Sequence, residues 1–335
     1  MQQPHHPAGL IKPQAVRYHA PAWLPGAHLQ TIWSAVAAPR PDPPLTRQRW
    51  STPDGDFIDL DYGPAPDRPI APLWVLFHGL EGSSRSHYAR AVVDHAAHLN
   101  WASVVVHFRG CSGEPNQMPR AYHSGDSDEI DWILRRLSSE HPERPLFASG
   151  VSLGGNALLK WLGERSEAAC FVRAAAAICP PQDLQAGAQS LSRGFNRVYC
   201  EHFLRSLRPK TLAMLERWPG LVDRERVRQS RTFFDFDDAV TAPLHGFSSC
   251  FDYWTRSSCR QFLGGIRVPT LVINARNDPF VPAQALATPA QVSAWVELDY
   301  PDAGGHVGFP GAQGPGRFNW VPARLETFFR NAGEV

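Results

Sequence analysis

The 335-residue chain has no surplus of charge of either sign: 33 basic side chains stand against 32 acidic ones. Nucleic acid is therefore not the expected partner, since neutralising phosphates takes a clustered excess of Lys and Arg. Long hydrophobic runs are also missing. No window reaches the ~18–20 apolar residues that span a bilayer, and Met1 to Ala20 holds no apolar stretch of the kind a secretory signal needs. The six cysteines form no C-x-x-C pair. In a chain of this length without a leader they are expected to be reduced thiols, neither a disulfide framework nor a zinc site. No repeat at a fixed period is present. These absences predict a cytoplasmic protein without a transmembrane segment, with at most transient lipid contact.

What the chain does hold is a globular composition, 43% hydrophobic and 19% charged. Its 31 prolines are about twice the usual share, which rules out a long coiled coil or a simple helical solenoid. Nine of these 31 prolines fall before residue 45. Residues 1–45 are accordingly expected to be an extended arm, packed on the body through Trp23, Leu24, Leu29, Ile32 and Trp33. Residues 46–335 are expected to form one domain. Arg47–Trp50 and Phe57–Tyr62 flank Asp54-Gly55, the pattern of a tight β-hairpin. Strand and helix patterns then alternate. Strands are predicted at Leu73–Phe77, Ala102–Phe108, Leu146–Val151, Ala174–Ile178, Thr270–Asn274 and Trp295–Leu298. Helices are predicted from Ser86 to Leu99, Asp126 to Leu137 and Asn156 to Leu162, with Arg324–Phe329 in a closing one. This is the signature of an α/β fold whose mostly parallel sheet is covered on both faces.

Between about 183 and 263 the rhythm breaks. Only helix-like pieces occur there, around Phe203–Leu207, Leu212–Trp218 and Arg224–Phe233. Such an insertion fits a cap over one end of the sheet, or else a small second domain unrelated to any site.

The sharpest motif is Gly150-Val151-Ser152-Leu153-Gly154-Gly155, a G-x-S-x-G sequence after a predicted strand and before a predicted helix. A serine lifted on so tight a turn needs neighbours without bulky side chains. It also needs a base, because its hydroxyl is a poor nucleophile. His306, flanked by Gly304, Gly305 and Gly308 after the last strand, is the candidate base. Asp278, just past the strand Thr270–Asn274, is the candidate acid that would hold the imidazole. Asp299 and Asp302 are bland alternatives. The order Ser152, Asp278, His306 is that of the α/β-hydrolase triad. The amides of Leu153 and Leu80 are the candidate oxyanion hole. His78 is expected to shape the Leu80 loop. His123 with Asp128 matches an H-x4-D pattern of some acyltransferases, a pair that arises easily by chance. Phe203, Phe233, Phe234, Phe247 and Trp254 are candidate apolar walls, or plain cap packing. The phosphate-binding glycine patterns are absent from the strand-to-helix turns, and neither a metal nor an organic cofactor is required.

Several further segments carry a resemblance. They are Trp23-Leu24-Pro25-Gly26-Ala27-His28-Leu29-Gln30-Thr31, His78 to Ser84, Arg109 to Glu114, Tyr122 to Gly125, Pro243 to Phe247 and Asn277 to Phe280. With the elbow and its Asn156, they make the chain resemble the YheT-like branch of the α/β-hydrolases over nearly its whole length. The resemblance implies a hydrolase of carboxylic esters, with short- to medium-chain acyl or glyceride esters as the small-molecule substrate. The rivals are an acyltransferase that passes the acyl group to an alcohol and a non-catalytic binding protein on the same fold.

Overall fold

The computed structural model describes residues 17–312 and 315–333. Eight strands form one sheet in the order β1-β2-β4-β3-β5-β6-β7-β8. They are β1 Thr46–Ser51, β2 Phe57–Tyr62, β3 Leu73–Phe77, β4 Ala102–Val106, β5 Leu146–Val151, β6 Ala174–Ile178, β7 Thr270–Ile273 and β8 Val296–Asp299. The pairs β1–β2 and β2–β4 are antiparallel, and all the others are parallel. Short 3-10 turns and the π-helical turn Asp237–Thr241 aside, the first helices are α1 Ala27–Val36, α2 His87–His98, α3 Ser127–Glu140 and α4 Leu153–Arg165. They are followed by α5 Leu184–Leu191, α6 Arg197–Arg217, α7 Arg224–Gln229, α8 Phe233–Phe236, α9 Ala242–Leu244, α10 Cys250–Ser257 and α11 Trp320–Gly333.

The mostly parallel sheet is the one the sequence predicts. Every residue of β3, β4, β5 and β6 is buried, as apolar strands covered on both faces must be. Alternation sorts their side chains. Leu73, Val75 and Phe77 share a core with Ile130, Leu134 and Leu158 of α3 and α4. Trp74 and Leu76 share the other with Val92 of α2 and Leu325 of α11. The parallel strands place the loops after β3, β5, β7 and β8 at one edge of the sheet, where α/β folds gather their functional groups. No helix among the described residues is long and apolar enough to cross a membrane.

Two local expectations are corrected. The N-terminal segment is not simply extended: α1 occupies its proline-free stretch, while residues 1–16 lie outside the described ones. Its inner face is also not the apolar one. Gln30, Thr31 and Ser34 are buried, whereas Trp23, Leu29 and Ile32 are exposed and only Leu24 of the apolar candidates is well covered. Further on, the two pieces expected around Phe203 and Leu212 are one helix, α6, running through Pro209. Leu204, Thr211 and Leu215 on its buried face hold together what the missing amide would loosen. The helices α5 to α10 occupy the connection between β6 and β7. They have a core of their own, centred on Leu204, Leu215, Val227, Tyr253 and Trp254.

The loop after β4 is fixed by charge. Arg109 pairs with Asp56 at 3.0 Å, Glu129 at 2.7 Å and Asp54 at 2.9 Å. The first three of these side chains are almost fully enclosed. Burial pushes the Glu129 carboxyl up from its usual range, so its ionised form depends on that guanidinium. Replacing Arg109 with Met strands the partners, and removing one member of a buried ion pair typically costs about 3–5 kcal/mol. Urea denaturation of Arg109→Met is expected to show a loss of that order, and a midpoint equal to that of the unmodified chain would contradict it.

Candidate active site

Ser152 stands between β5 and α4 with φ 51° and ψ −117°, a strained backbone for a residue with a side chain. The turn closes because its neighbours are glycines. A Cβ on Gly150 would lie 2.4 Å from the carbonyl oxygen of Gly154, and one on Gly154 2.5 Å from that of His78. The helix begins directly after the serine, at Leu153 rather than at Asn156. Asn156 instead ties the surroundings together, donating to the carbonyls of Ser124 and Ser257 and accepting from the Cys259 amide.

Three loops meet at the sheet edge. His306 Nε2 lies 3.0 Å from Ser152 Oγ, and His306 Nδ1 lies 2.8 Å from Asp278 Oδ2. A carboxylate can only accept, so Nδ1 carries the proton and Nε2 presents its lone pair to the serine hydroxyl. The other carboxylate oxygen, Oδ1, accepts from the amides of Phe280 and Val281 at 2.8 and 3.2 Å. The Asp278 side chain is fully enclosed. The alternatives lie elsewhere: Asp302 is exposed beside Arg276, and Asp299 pairs with Arg324.

The loop after β3 runs against the serine, since a Cβ on Gly79 would lie 3.2 Å from that of Ser152. The amides of Gly79 and Glu81 donate to the hydroxyls of Tyr88 and Tyr122. Neither the Leu80 nor the Leu153 amide has an acceptor among the described residues. His78 is enclosed. Its Nδ1 donates to the Gly79 carbonyl and its Nε2 accepts from the Phe108 amide. Burial lowers it to about 3, so it is a neutral brace for that loop.

A cavity of about 570 Å³ is lined by Ser152, His306, Leu80 and Leu153 together with residues of α5, α6, α8, α9 and α10. This volume is in the range of small-molecule sites. Of the predicted apolar walls, Phe203, Phe233 and Trp254 line it. Phe234 is exposed and packs on Phe251, and Phe247 packs on Tyr253 and His123. One wall escaped the sequence reading. The Phe280 ring lies flat on the His306 imidazole, centroids 4.1 Å apart; its sequence signals are its place two residues after Asp278 and in the Asn277–Phe280 segment that carries the resemblance, neither of which marks it as a wall. His123 and Asp128 do not form a pair. Asp128 is exposed and bonded to Arg165, whereas His123 packs against His245 in a tilted arrangement, ring centroids 4.3 Å apart. Burial lowers these two histidines to about 4 and 3.

Donor atoms of Cys179, Asp278 and His306 lie within 4.8 Å of one another, so a metal has to be considered. A cysteine ligand binds as thiolate, but burial pushes this thiol well up, and its sulfur already accepts from the Val307 amide. The hydrogen bond between Asp278 and His306 occupies the other two. These donors fit a proton-transfer chain better than a metal.

The geometry has counterparts. Residues 72–310 match the model of the alpha/beta hydrolase fold family. The chain is 38% identical over 281 residues to the Escherichia coli K12 protein named "Putative esterase YheT", covering 83% of this chain and 82% of that one. It is 27% identical to mouse phospholipase ABHD3 over 300 residues, 87% of this chain and 73% of the relative. Among solved structures, the Pyrococcus furiosus esterase PF2001 superposes with a TM-score of 0.53 at 15% identity, over 90% of this chain and 96% of that one. Matched by the family model over most of its length and by a bacterial relative over still more, the chain belongs to the α/β-hydrolases, in their YheT-like, esterase/lipase-type branch.

Proposed function

We propose that the protein is a serine hydrolase that cleaves carboxylic esters through an acyl-enzyme. The reading is carried by one observation, the hydrogen-bonded chain from Ser152 through His306 to Asp278 beside an apolar cavity. His306 takes the proton of Ser152 as Oγ attacks the ester carbonyl, and Asp278 stabilises the imidazolium. The amides of Leu80 and Leu153, without acceptors of their own, hold the oxyanion; one such donor is typically worth ~10²–10³ in rate. The alcohol leaves with the proton from His306, and water activated by the same histidine releases the acid. Helices α5 to α10 serve as the cap, and their apolar walls take the acyl chain of a short- to medium-chain acyl or glyceride ester.

A panel of p-nitrophenyl esters of increasing chain length tests this. Hydrolysis is expected, with an initial burst of nitrophenol wherever deacylation is slower than acylation. A folded protein that turns over no member of the panel would falsify the reading. Adding an alcohol and comparing ester with free acid among the products separates hydrolysis from acyl transfer.

A further inference from the structure

Helix α1 turns the wrong face inward for an ordinary surface helix. It buries Gln30, Thr31 and Ser34 and leaves Leu29 and Val36 in solvent, at 52% and 71% exposure. The reason is the partner, a stretch of backbone with amides and carbonyls to satisfy. Thr31 Oγ1 accepts from the amide of His306 at 2.9 Å. Gln30 Oε1 accepts from the Gly304 amide at 2.9 Å and from Asn277 Nδ2 at 3.1 Å. Asn277 Oδ1 in turn accepts from the Gly305 amide at 3.0 Å. Ser34 Oγ donates to the Gly308 carbonyl at 2.7 Å. The base loop and the acid loop are thus bonded to one helix and, through Asn277, to each other.

That loop cannot hold its shape unaided. Val307 and Phe309 both have positive φ, 53° and 36°, with Gly304 and Gly305 also positive just before them. Side-chain-bearing residues stay in such conformations only when their surroundings over-determine them. The glycines beside His306 serve the same contact. A Cβ on Gly305 would lie 2.6 Å from Thr31 Oγ1, and one on Gly308 2.5 Å from the Gln30 carbonyl oxygen. These glycines admit the helix.

We infer that Gln30 and Thr31 of α1 are positioning residues that hold the His306 backbone, and with it the imidazole, in register with Asp278 and Ser152. They touch neither substrate nor reacting atoms. The inference rests on the triad proposed above, but it concerns the geometry of the base loop.

The test compares Thr31→Val, which keeps the shape and removes the acceptor, with Thr31→Ser, which keeps the hydroxyl. Gln30→Met is read in the same way, and each variant is measured below its own melting temperature. Misplacing a catalytic group by about 1 Å can cost ~10²-fold, so Thr31→Val is expected to lower kcat by roughly 10- to 100-fold with KM changed less than about 2-fold. Thr31→Ser is expected to restore most of the loss. The downfield proton resonance of His306 Nδ1–H, assigned by its absence in His306→Ala, is expected to shift or broaden in Thr31→Val and Gln30→Met and to persist in Thr31→Ser. Unchanged kcat and an unchanged resonance in both Thr31→Val and Gln30→Met overturn the inference. So does an equal loss in Thr31→Ser and Thr31→Val, which would mark packing instead of the hydrogen bond. If the unmodified protein proves inactive while the resonance still responds to Thr31→Val, the hydrolase reading falls and the positioning role stands.

Discussion

Ser152→Ala is expected to reduce ester turnover by roughly 10⁶-fold, the scale on which removal of a serine nucleophile acts. The argument is positional. Oγ is the atom presented to His306 Nε2, at 3.0 Å, and it shares the cavity with the amides of Leu80 and Leu153. Alanine removes that one atom and keeps the Cβ that the turn already accommodates, so the fold should be undisturbed. Residual turnover would come only from binding and from the amides proposed to hold the oxyanion. The direct measurement is labelling by a fluorophosphonate probe. The unmodified protein is expected to take up one equivalent and Ser152→Ala none, with identical circular dichroism. Labelling that persists in the alanine variant would move the nucleophile elsewhere. A folded unmodified protein that takes up no label would remove Ser152 from that role altogether.

Asp278→Asn is expected to cost about 10⁴-fold in kcat, through the wrong imidazole tautomer. The surroundings of the carboxylate show why the asparagine cannot adapt. Oδ1 is held by two donors, the amides of Phe280 and Val281. In the variant only the carbonyl oxygen can accept from them, so the amide nitrogen must face His306. It would then donate to Nδ1, put the ring proton on Nε2, and aim a donor at Ser152 where an acceptor is needed. Raising the pH would not repair this, since the fault is the site of the proton and not the charge of the ring. Asp302→Asn is the control. Asp302 is exposed beside Arg276, and its variant is expected to stay within about 2-fold of the unmodified rate, as surface changes away from a site usually do. A pH–rate series on both variants decides the assignment. An Asp278→Asn enzyme close to full activity, or a large loss in Asp302→Asn, would refute it.

The candidate site was legible in the chain wherever its demands are local. A serine on a strained turn needs small residues two positions before and after it, and Gly150 and Gly154 write that need into a six-residue motif. A buried parallel strand must be apolar throughout, so Leu73–Phe77 and Leu146–Val151 stand out. The acid could be chosen because Asp278 follows a strand end, whereas Asp302 shares a short loop with His306. Helix α6 shows a local rule failing. Pro209 marks a break, yet packing of Leu204, Thr211 and Leu215 carries the helix through it.

By itself, then, the sequence determined the strand–helix alternation, the sheet it builds, the turn that carries Ser152 and the order of the three side chains proposed for catalysis. Tertiary structure alone decided how they meet: the stacking of Phe280 on His306, which insertion side chains face the cavity, and the inward-turned polar face of α1. The physical reason is the nature of the partner. Amphipathic patterning anticipates helices that pack on apolar side chains, whereas α1 packs on the amides and carbonyls of a strained loop 274 to 275 residues away. Backbone groups are the same at every position of a sequence, so nothing in the order of residues marks which of them will need a Gln or a Thr from elsewhere.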